Sequence, residues 1–125
     1  MNAALADTHA LLWWLAADAR LSPTARELIA GGTTPVLYSA ASIWEIAIKR
    51  AVGKLIAPDD ILDAVEADGF VELPIAARHA AIAGALPLHH RDPFDRMIIA
   101  QAQLEDLSVI TADARIADYG VSVVW

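Results

Sequence analysis

Residues 3–18 read AALADTHALLWWLAAD: a short apolar run, one aspartate, and then a longer and mostly apolar segment. The run before Asp7 predicts a short buried strand, and the segment that begins at Thr8 predicts a helix. A buried strand that leads directly into a helix is the repeating unit of α/β proteins. This stretch therefore predicts an α/β fold in which Asp7 stands at the carboxyl end of a core strand.

The same alternation continues along the chain. Helices are predicted for TARELIA, which follows Ser22-Pro23, and for residues 41–52, 58–68, 76–85 and 93–107; core strands are predicted at 36–39, 108–111 and 121–125, with a short extended segment at 70–73. Alternating strands and helices indicate a central, mainly parallel sheet with helices on both faces. The sequence thus predicts a single three-layer α/β/α domain over residues 1–125.

Composition narrows the class of protein. A chain of 125 residues, 57% of them hydrophobic, suits one domain with one core. The absence of cysteine excludes disulfides, thiolate metal sites and a thiol nucleophile. Asp7 and His9 interrupt the N-terminal apolar run, so no signal peptide is expected, and the longest uncharged stretch contains two glycines and a proline. We expect a cytoplasmic protein without a membrane span.

The balance of charge is acidic. Sixteen acidic residues against nine basic ones give a net charge of −7, which by itself argues against binding to a nucleic acid. That objection fails if some of the acids hold divalent cations, because a metal site turns an acidic cluster into one that attracts phosphate.

Four carboxylates are candidates for a binding site, because parallel sheets bind their ligands beyond the carboxyl ends of the strands. Asp7 follows the first predicted strand and Asp113 follows the strand at 108–111. Glu45 lies on the helix after the second strand. Asp95 lies on the long helix, where apolar residues three, four and seven positions later share its face. A carboxylate on such a face is costly unless something compensates its charge.

Each acid also has an ordinary structural interpretation. Asp7 is suited to cap the helix that follows it, Glu45 is suited to pair with Lys49 one turn later, and Asp113 is suited to a turn. Taken together, four carboxylates at one edge of a sheet would repel one another unless a cation is present. Oxygen ligands favour Mg²⁺ or Mn²⁺, and such a site suits hydrolysis of phosphodiesters by metal-activated water.

The histidines and the basic residues near the acids are weaker candidates for the functional site. His9, His79, His89 and His90 show no metal-ligand spacing. His9 is expected to pack or to support Asp7, and His89-His90 is expected in a solvated loop, although contact with substrate stays open. Three basic residues near the acids are equally compatible with phosphate contacts and with ordinary solvated charges: Lys49, Arg91 and Arg96.

The whole sequence resembles the PIN-domain ribonucleases, and in particular the VapC-type toxins of bacterial toxin–antitoxin pairs. The matching segments cover nearly the whole chain in family order: LADTHALLWWL (5–15), SAASIWEIAIKRAVGKL (39–55), LPLHHRDPFDRMIIAQAQ (86–103) and VITADARIADYGV (109–121). One acid alone is weak evidence, but this combination of motifs is highly specific.

The resemblance implies roles for particular residues. The family's acidic quartet falls on Asp7, Glu45, Asp95 and Asp113, while Thr111 matches the hydroxyl that orients a metal-bound water. Asp92 matches an extra acid of this subgroup and is either a helix cap or an outer metal ligand. The family further implies an Mg²⁺- or Mn²⁺-dependent endoribonuclease that forms a homodimer and is inhibited by a small VapB-type antitoxin.

Other functions fit the sequence less well. A phosphoacceptor receiver domain needs an acidic pair after the first strand and a lysine after the last, but no lysine follows Lys54. A haloacid-dehalogenase-type phosphatase needs D-x-D, which Asp7-Thr8-His9 does not provide. A catalytically inactive PIN-fold binding module remains as the alternative, and the intact quartet weighs against it.

Overall fold

The computed structural model describes residues 3–125, and over this range strands and helices alternate as the sequence predicts. The elements are β1 (Ala4–Ala6), α1 (Thr8–Leu15), α2 (Pro23–Gly31), β2 (Val36–Ser39), α3 (Ala40–Ala51), α4 (Ile61–Ala67), β3 (Val71–Leu73), α5 (Ala77–Ala85), α6 (Pro93–Glu105), β4 (Ser108–Ile110), a 3₁₀ helix (Ala114–Tyr119) and β5 (Val123–Val124).

The sheet has the strand order β3-β2-β1-β4-β5, and every neighbouring pair is parallel. Strand β1 is central: Ala4 is in register with Val36 on one side and with Ser108 on the other. The chain builds the sheet outward from β1 in one direction and then returns to add β4 and β5 on the other side. The carboxyl ends of β1 and β4 therefore flank the point where the direction of winding reverses, which is where open α/β sheets bind ligands.

Each face of the sheet has its own core, because successive side chains of a strand point to opposite faces. Ala4 and Ala6 contribute to a cluster with Leu11 of α1. Leu5 lies in the second cluster, together with Ile98 of α6. These two layers of helices around one sheet confirm the predicted α/β/α architecture.

The edges of the sheet differ from the prediction. The extended segment at 70–73 joins the sheet as the edge strand β3, in register with β2. The strand predicted at 121–125 is wrong in extent, since β5 covers only Val123–Val124 and is half-buried at the opposite edge. The 3₁₀ helix was not predicted, because two short turns anchored by the buried Ile116 give no periodic pattern in the sequence.

Candidate functional site

Asp7 lies at the reversal point of the sheet, directly after β1, and is only 7% exposed. Its Oδ1 accepts a hydrogen bond from the backbone N–H of Ala10 (2.9 Å), so Asp7 does cap α1. The side chain of Thr111, which follows β4, lies close enough to lower the pKa of Asp7. Burial nevertheless raises the pKa of Asp7 above its usual range, despite both contacts. The capping interpretation is therefore correct, and it leaves a poorly solvated carboxylate at this edge.

Glu45 faces Asp7 from α3 and is 4% exposed. Its Oε1 accepts a hydrogen bond from the Thr8 hydroxyl (2.7 Å), and its Oε2 lies 2.5 Å from Lys49 Nζ. The ion pair with Lys49 is thus present, but it is part of a buried network rather than of a solvent face. Glu45 lies close enough to raise the pKa of Asp7 through charge repulsion.

Asp95 lies in the first turn of α6 and provides the centre of the cluster. Its pKa is raised to about 7, chiefly by burial and then by the charge of Asp92. Asp7 and Glu45 raise it further, whereas His90 lowers it. Three of the four predicted acids therefore repel one another across a single crevice, and the carboxylate on the apolar face of α6 points toward the other acids rather than toward the apolar core.

Asp113 lies on the far side of the crevice and has a different environment. Its backbone N–H donates to Thr111 Oγ1 (3.0 Å), and Thr111 also lies near Asp7 at the end of β1. Its carboxylate accepts from the backbone N–H, Nε and Nη2 of Arg115, each at 3.0 Å. A further hydrogen bond comes from His90 Nε2 (2.9 Å). The Arg115 guanidinium is the main reason why the pKa of Asp113 is lowered to about 2.

His90 joins Asp113 to the other acids, and its expected position in a solvated loop was wrong. The residue is 5% exposed, and its Nε2 lies 3.1 Å from Asp95 Oδ2 and 2.9 Å from Asp113 Oδ2. Within residues 3–125, these three side chains are the one group whose possible ligand atoms all lie within 4.8 Å of one another. The neighbouring His89 is exposed and contacts the ring of Tyr119 edge-on. No pattern in the loop distinguishes the two histidines; only the proximity of His90 to the cap of α6 gives a signal.

Basic residues lie on two sides of the site, but not every basic residue that the sequence suggested for phosphate contacts is among them. Lys49 lies near the cluster, where the charges of Glu45, Asp92 and Asp95 raise its pKa. Arg96 is not placed to meet phosphate, because its guanidinium donates to the backbone carbonyls at 83, 86, 87 and 90. It holds the α5–α6 loop instead. Arg115, which the sequence did not single out, lies at the site.

Asp92 caps α6, as its position before Pro93 predicts. Its Oδ1 accepts hydrogen bonds from the backbone N–H groups of Phe94 (2.8 Å) and Asp95 (3.2 Å). Its negative charge also raises the pKa of the Asp95 carboxyl. Its additional role as an outer metal ligand stays a prediction.

The donor set of this crevice fits a hard divalent cation. Lys49 and Arg115 neutralise the outer acids Glu45 and Asp113. The inner acids Asp7 and Asp95 have no lysine or arginine ion pair within the described part of the chain, and both have raised pKa values. A cation ligated by carboxylate oxygens would remove this repulsion, and Mg²⁺ and Mn²⁺ prefer such ligands.

The helices are too short or too polar to cross a lipid bilayer, as far as residues 3–125 are concerned.

Comparisons with known proteins agree with this architecture. The chain aligns over 98% of its length with a toxin–antitoxin complex from Klebsiella pneumoniae (97% of that chain, 21% identity, TM-score 0.69). It aligns equally with DNA-bound VapBC from Salmonella typhimurium (98% and 97%, 20% identity, TM-score 0.71). FitAcB from Neisseria gonorrhoeae is a more distant match (95% and 94%, 21% identity, TM-score 0.59). At these identities the likeness concerns the fold.

Among curated proteins, none matches the sequence. The sequence model of the PIN domain, by contrast, matches residues 4–121, which include all four acids of the crevice and both strands that flank it. The chain therefore belongs to the PIN domain family.

Proposed function

We propose that this protein is an Mg²⁺- or Mn²⁺-dependent endoribonuclease that acts as the toxin of a toxin–antitoxin pair. PIN domains are generally nucleases. The observation that carries the proposal is the crevice at the carboxyl edge of the sheet, where burial and mutual repulsion raise the pKa of Asp7 and Asp95. Such a cluster is costly in a metal-free protein, and its cost is explained if it serves to bind cations.

In this proposal, Asp7 and Asp95 are the central metal ligands, with Glu45 and Asp113 completing the acidic quartet. A bound cation supplies an activated water and stabilises negative charge on the leaving oxygen. Thr8 and Lys49 hold the two oxygens of Glu45 in a fixed orientation. The Thr111 side chain lies beside Asp7 and favours its ionised form. The protein thus contributes a rigid set of oxygen atoms before the substrate arrives.

Charge supports a phosphate-containing substrate at this acidic crevice. Lys49 at one side and Arg115 at the other are cations beside the carboxylates, and the Arg115 side chain is 64% exposed. Together with bound metal they would offset the net charge of −7 where the RNA backbone must approach. Cytoplasmic RNA is the substrate class that we propose.

An exposed apolar stripe supports the partners that belong to this proposal, a VapB-type antitoxin and a second copy of the chain. Trp44 and Ile48 of α3 and Val52, which directly follows α3, recur every four residues, and Trp44 is 62% exposed. Its indole touches Phe94 edge-on rather than filling the core. Apolar residues at helical spacing usually belong to a core, and because these three are exposed the stripe favours an interface. The structurally similar VapBC and toxin–antitoxin chains come from complexes.

The activity is tested on purified protein with single-stranded RNA and added Mg²⁺ or Mn²⁺. Asp7→Asn and Asp95→Asn should each reduce cleavage by more than about 100-fold, since loss of even an outer partner of a metal ligand costs about 10–100-fold. His89→Gln is the matched control, because His89 is exposed and contacts Tyr119 rather than the acids.

Cleavage that survives excess EDTA, or that is equal in identically purified Asp7→Asn, would reject the nuclease mechanism. Metal binding without any cleavage would favour the inactive binding module instead. The partner proposal is tested separately by light scattering and by co-purification with the product of a small neighbouring gene. A monomer that retains no such product would contradict it.

A further inference from the structure

His90 is held in place by contacts that are independent of the acids. Its backbone N–H donates to the hydroxyl of Tyr119 (2.7 Å), which donates in turn to the carbonyl of Pro87 (2.7 Å). Its backbone carbonyl accepts from Arg96 Nη1 (3.0 Å). The residue is therefore fixed from the 3₁₀ helix on one side and from α6 on the other, and only its imidazole faces the crevice.

The contact of Nδ1 determines which ring nitrogen carries the hydrogen. The backbone N–H of Asp92 points to His90 Nδ1 at 3.3 Å. A backbone N–H is always a donor, so the nitrogen that faces it must act as the acceptor. In a neutral imidazole the other nitrogen then bears the hydrogen. Nε2 also lies 3.4 Å from Arg115 Nη2, which can only donate, but two carboxylate oxygens lie closer to it, at 2.9 and 3.1 Å. Nε2 is thereby assigned as a donor, and a protonated nitrogen has no lone pair with which to bind a metal.

The two acceptors of that donor belong to different parts of the chain. Nε2 lies 2.9 Å from Oδ2 of Asp113 and 3.1 Å from Oδ2 of Asp95. Its hydrogen is therefore shared between the carboxylates on α6 and after β4, and it draws their Oδ2 atoms toward one point.

We propose that His90 is a positioning residue that holds Asp95 and Asp113 side by side by donation from Nε2, and that it is not itself a ligand of the metal. The inference rests on the proposed metal-dependent function and extends it to a residue outside the acidic quartet. Hydrogen bonds to ligating carboxylates fix their orientation, and loss of such a partner typically costs about 10–100-fold in metal affinity. The opposing interpretation, with His90 as a third ligand beside the two acids, has the same distances and the opposite tautomer.

The first test uses the full-length wild-type protein without metal. Nitrogen-15 NMR of the histidine side chains at alkaline pH distinguishes the two neutral tautomers, and His90→Gln assigns the signal. We expect His90 to carry its hydrogen on Nε2. A hydrogen on Nδ1 would overturn the proposal, and this outcome does not depend on whether the protein binds metal or cuts RNA.

The second test uses Mn²⁺ as the probe. Pulsed electron paramagnetic resonance should detect no directly coordinated nitrogen in the wild-type complex, and a coordinated imidazole nitrogen that disappears in His90→Gln would overturn the proposal. Titration of the free Mn²⁺ signal should show affinity reduced by about 10–100-fold in His90→Leu. His90→Gln, whose amide can still donate, should recover most of it, and His89→Gln should match the wild type.

The variants distinguish a failure of the positioning role of His90 from a failure of the proposed metal dependence. Unchanged Mn²⁺ affinity in a folded His90→Leu would reject the positioning role even though the nuclease proposal stood. Absence of Mn²⁺ binding in both the wild type and His89→Gln would instead reject the proposed metal dependence, while the tautomer measurement would still decide whether His90 is a donor.

Discussion

On each side of the crevice, one basic side chain offsets the charge of one carboxylate, but the two ion pairs differ in burial. On the side of β1 and α3, Glu45 is buried and pairs with Lys49, whose side chain is 36% exposed. On the side of β4, Asp113 pairs with Arg115, and the two side chains are 25% and 64% exposed. Regular elements carry the first pair, whereas a loop and a 3₁₀ helix carry the second. Each outer acid has its own cation, but only the first pair is embedded in the fold.

Asp95, between the two pairs, should show the largest effect on stability. Its pKa is raised to about 7 in the folded protein, so the folded state binds the proton more tightly than the unfolded chain does. The free energy of unfolding without metal should therefore fall as pH rises from about 4 to 7. The contribution is at most about 4 kcal/mol, because one pKa unit corresponds to about 1.4 kcal/mol.

Asp95→Asn should reduce this dependence and leave the part that comes from Asp7, whose pKa is also raised, and in EDTA the variant should be more stable than the wild type at pH 8. Asp113→Asn is the matched comparison with the opposite sign. The pKa of Asp113 is lowered to about 2, so its stabilising contribution is present above about pH 4 and is lost as pH falls toward 2. Urea unfolding at several pH values measures both. A wild-type protein that gains stability between pH 4 and 7 through Asp95 would contradict the repulsive cluster.

The ion pairs themselves should differ in strength. Lys49→Met leaves the buried Glu45 with only its Thr8 contact, and it should cost about 2–3 kcal/mol, somewhat below the range for breaking a fully buried pair. Arg115→Met breaks an exposed pair and should cost less than about 1 kcal/mol. Urea unfolding in EDTA at neutral pH compares them directly. Equal losses of stability would mean that the Arg115–Asp113 pair stabilises the fold as much as the Lys49–Glu45 pair does.

This contrast also explains how much of the site could be predicted from sequence. Asp7 and Glu45 follow from strand and helix patterns, since a parallel sheet collects the residues after its strands at one edge. Asp95 was noticeable because it interrupts an apolar helix face. His90 and Arg115 gave no comparable signal, because their positions depend on tertiary contacts such as that between the backbone of His90 and Tyr119. The short β5 was overestimated for the same reason: its apolar residues lie at an edge, where burial is partial.

A smaller effect than that of Asp95 concerns Asp92, which belongs to the loop side but faces Asp95. Asp92→Ala removes the acceptor of two backbone N–H groups and should cost about 0.5–2 kcal/mol. Asp92→Asn should cost little, because asparagine caps helices nearly as well as aspartate does. It also removes a charge that raises the pKa of Asp95, so part of any capping loss should be offset at neutral pH.

Thermal melts with and without Mg²⁺ then separate a cap from a ligand. A ligand stabilises a protein only through its affinity for the folded state, so Asp95→Asn should lose much of the Mg²⁺-induced rise in melting temperature. Asp92→Asn should keep that rise, because its carboxylate oxygen is already engaged by the start of α6. If Asp92→Asn abolishes the Mg²⁺ effect and Asp95→Asn preserves it, the third metal ligand is Asp92, and the raised pKa of Asp95 reflects its proximity to the cation site rather than membership in it.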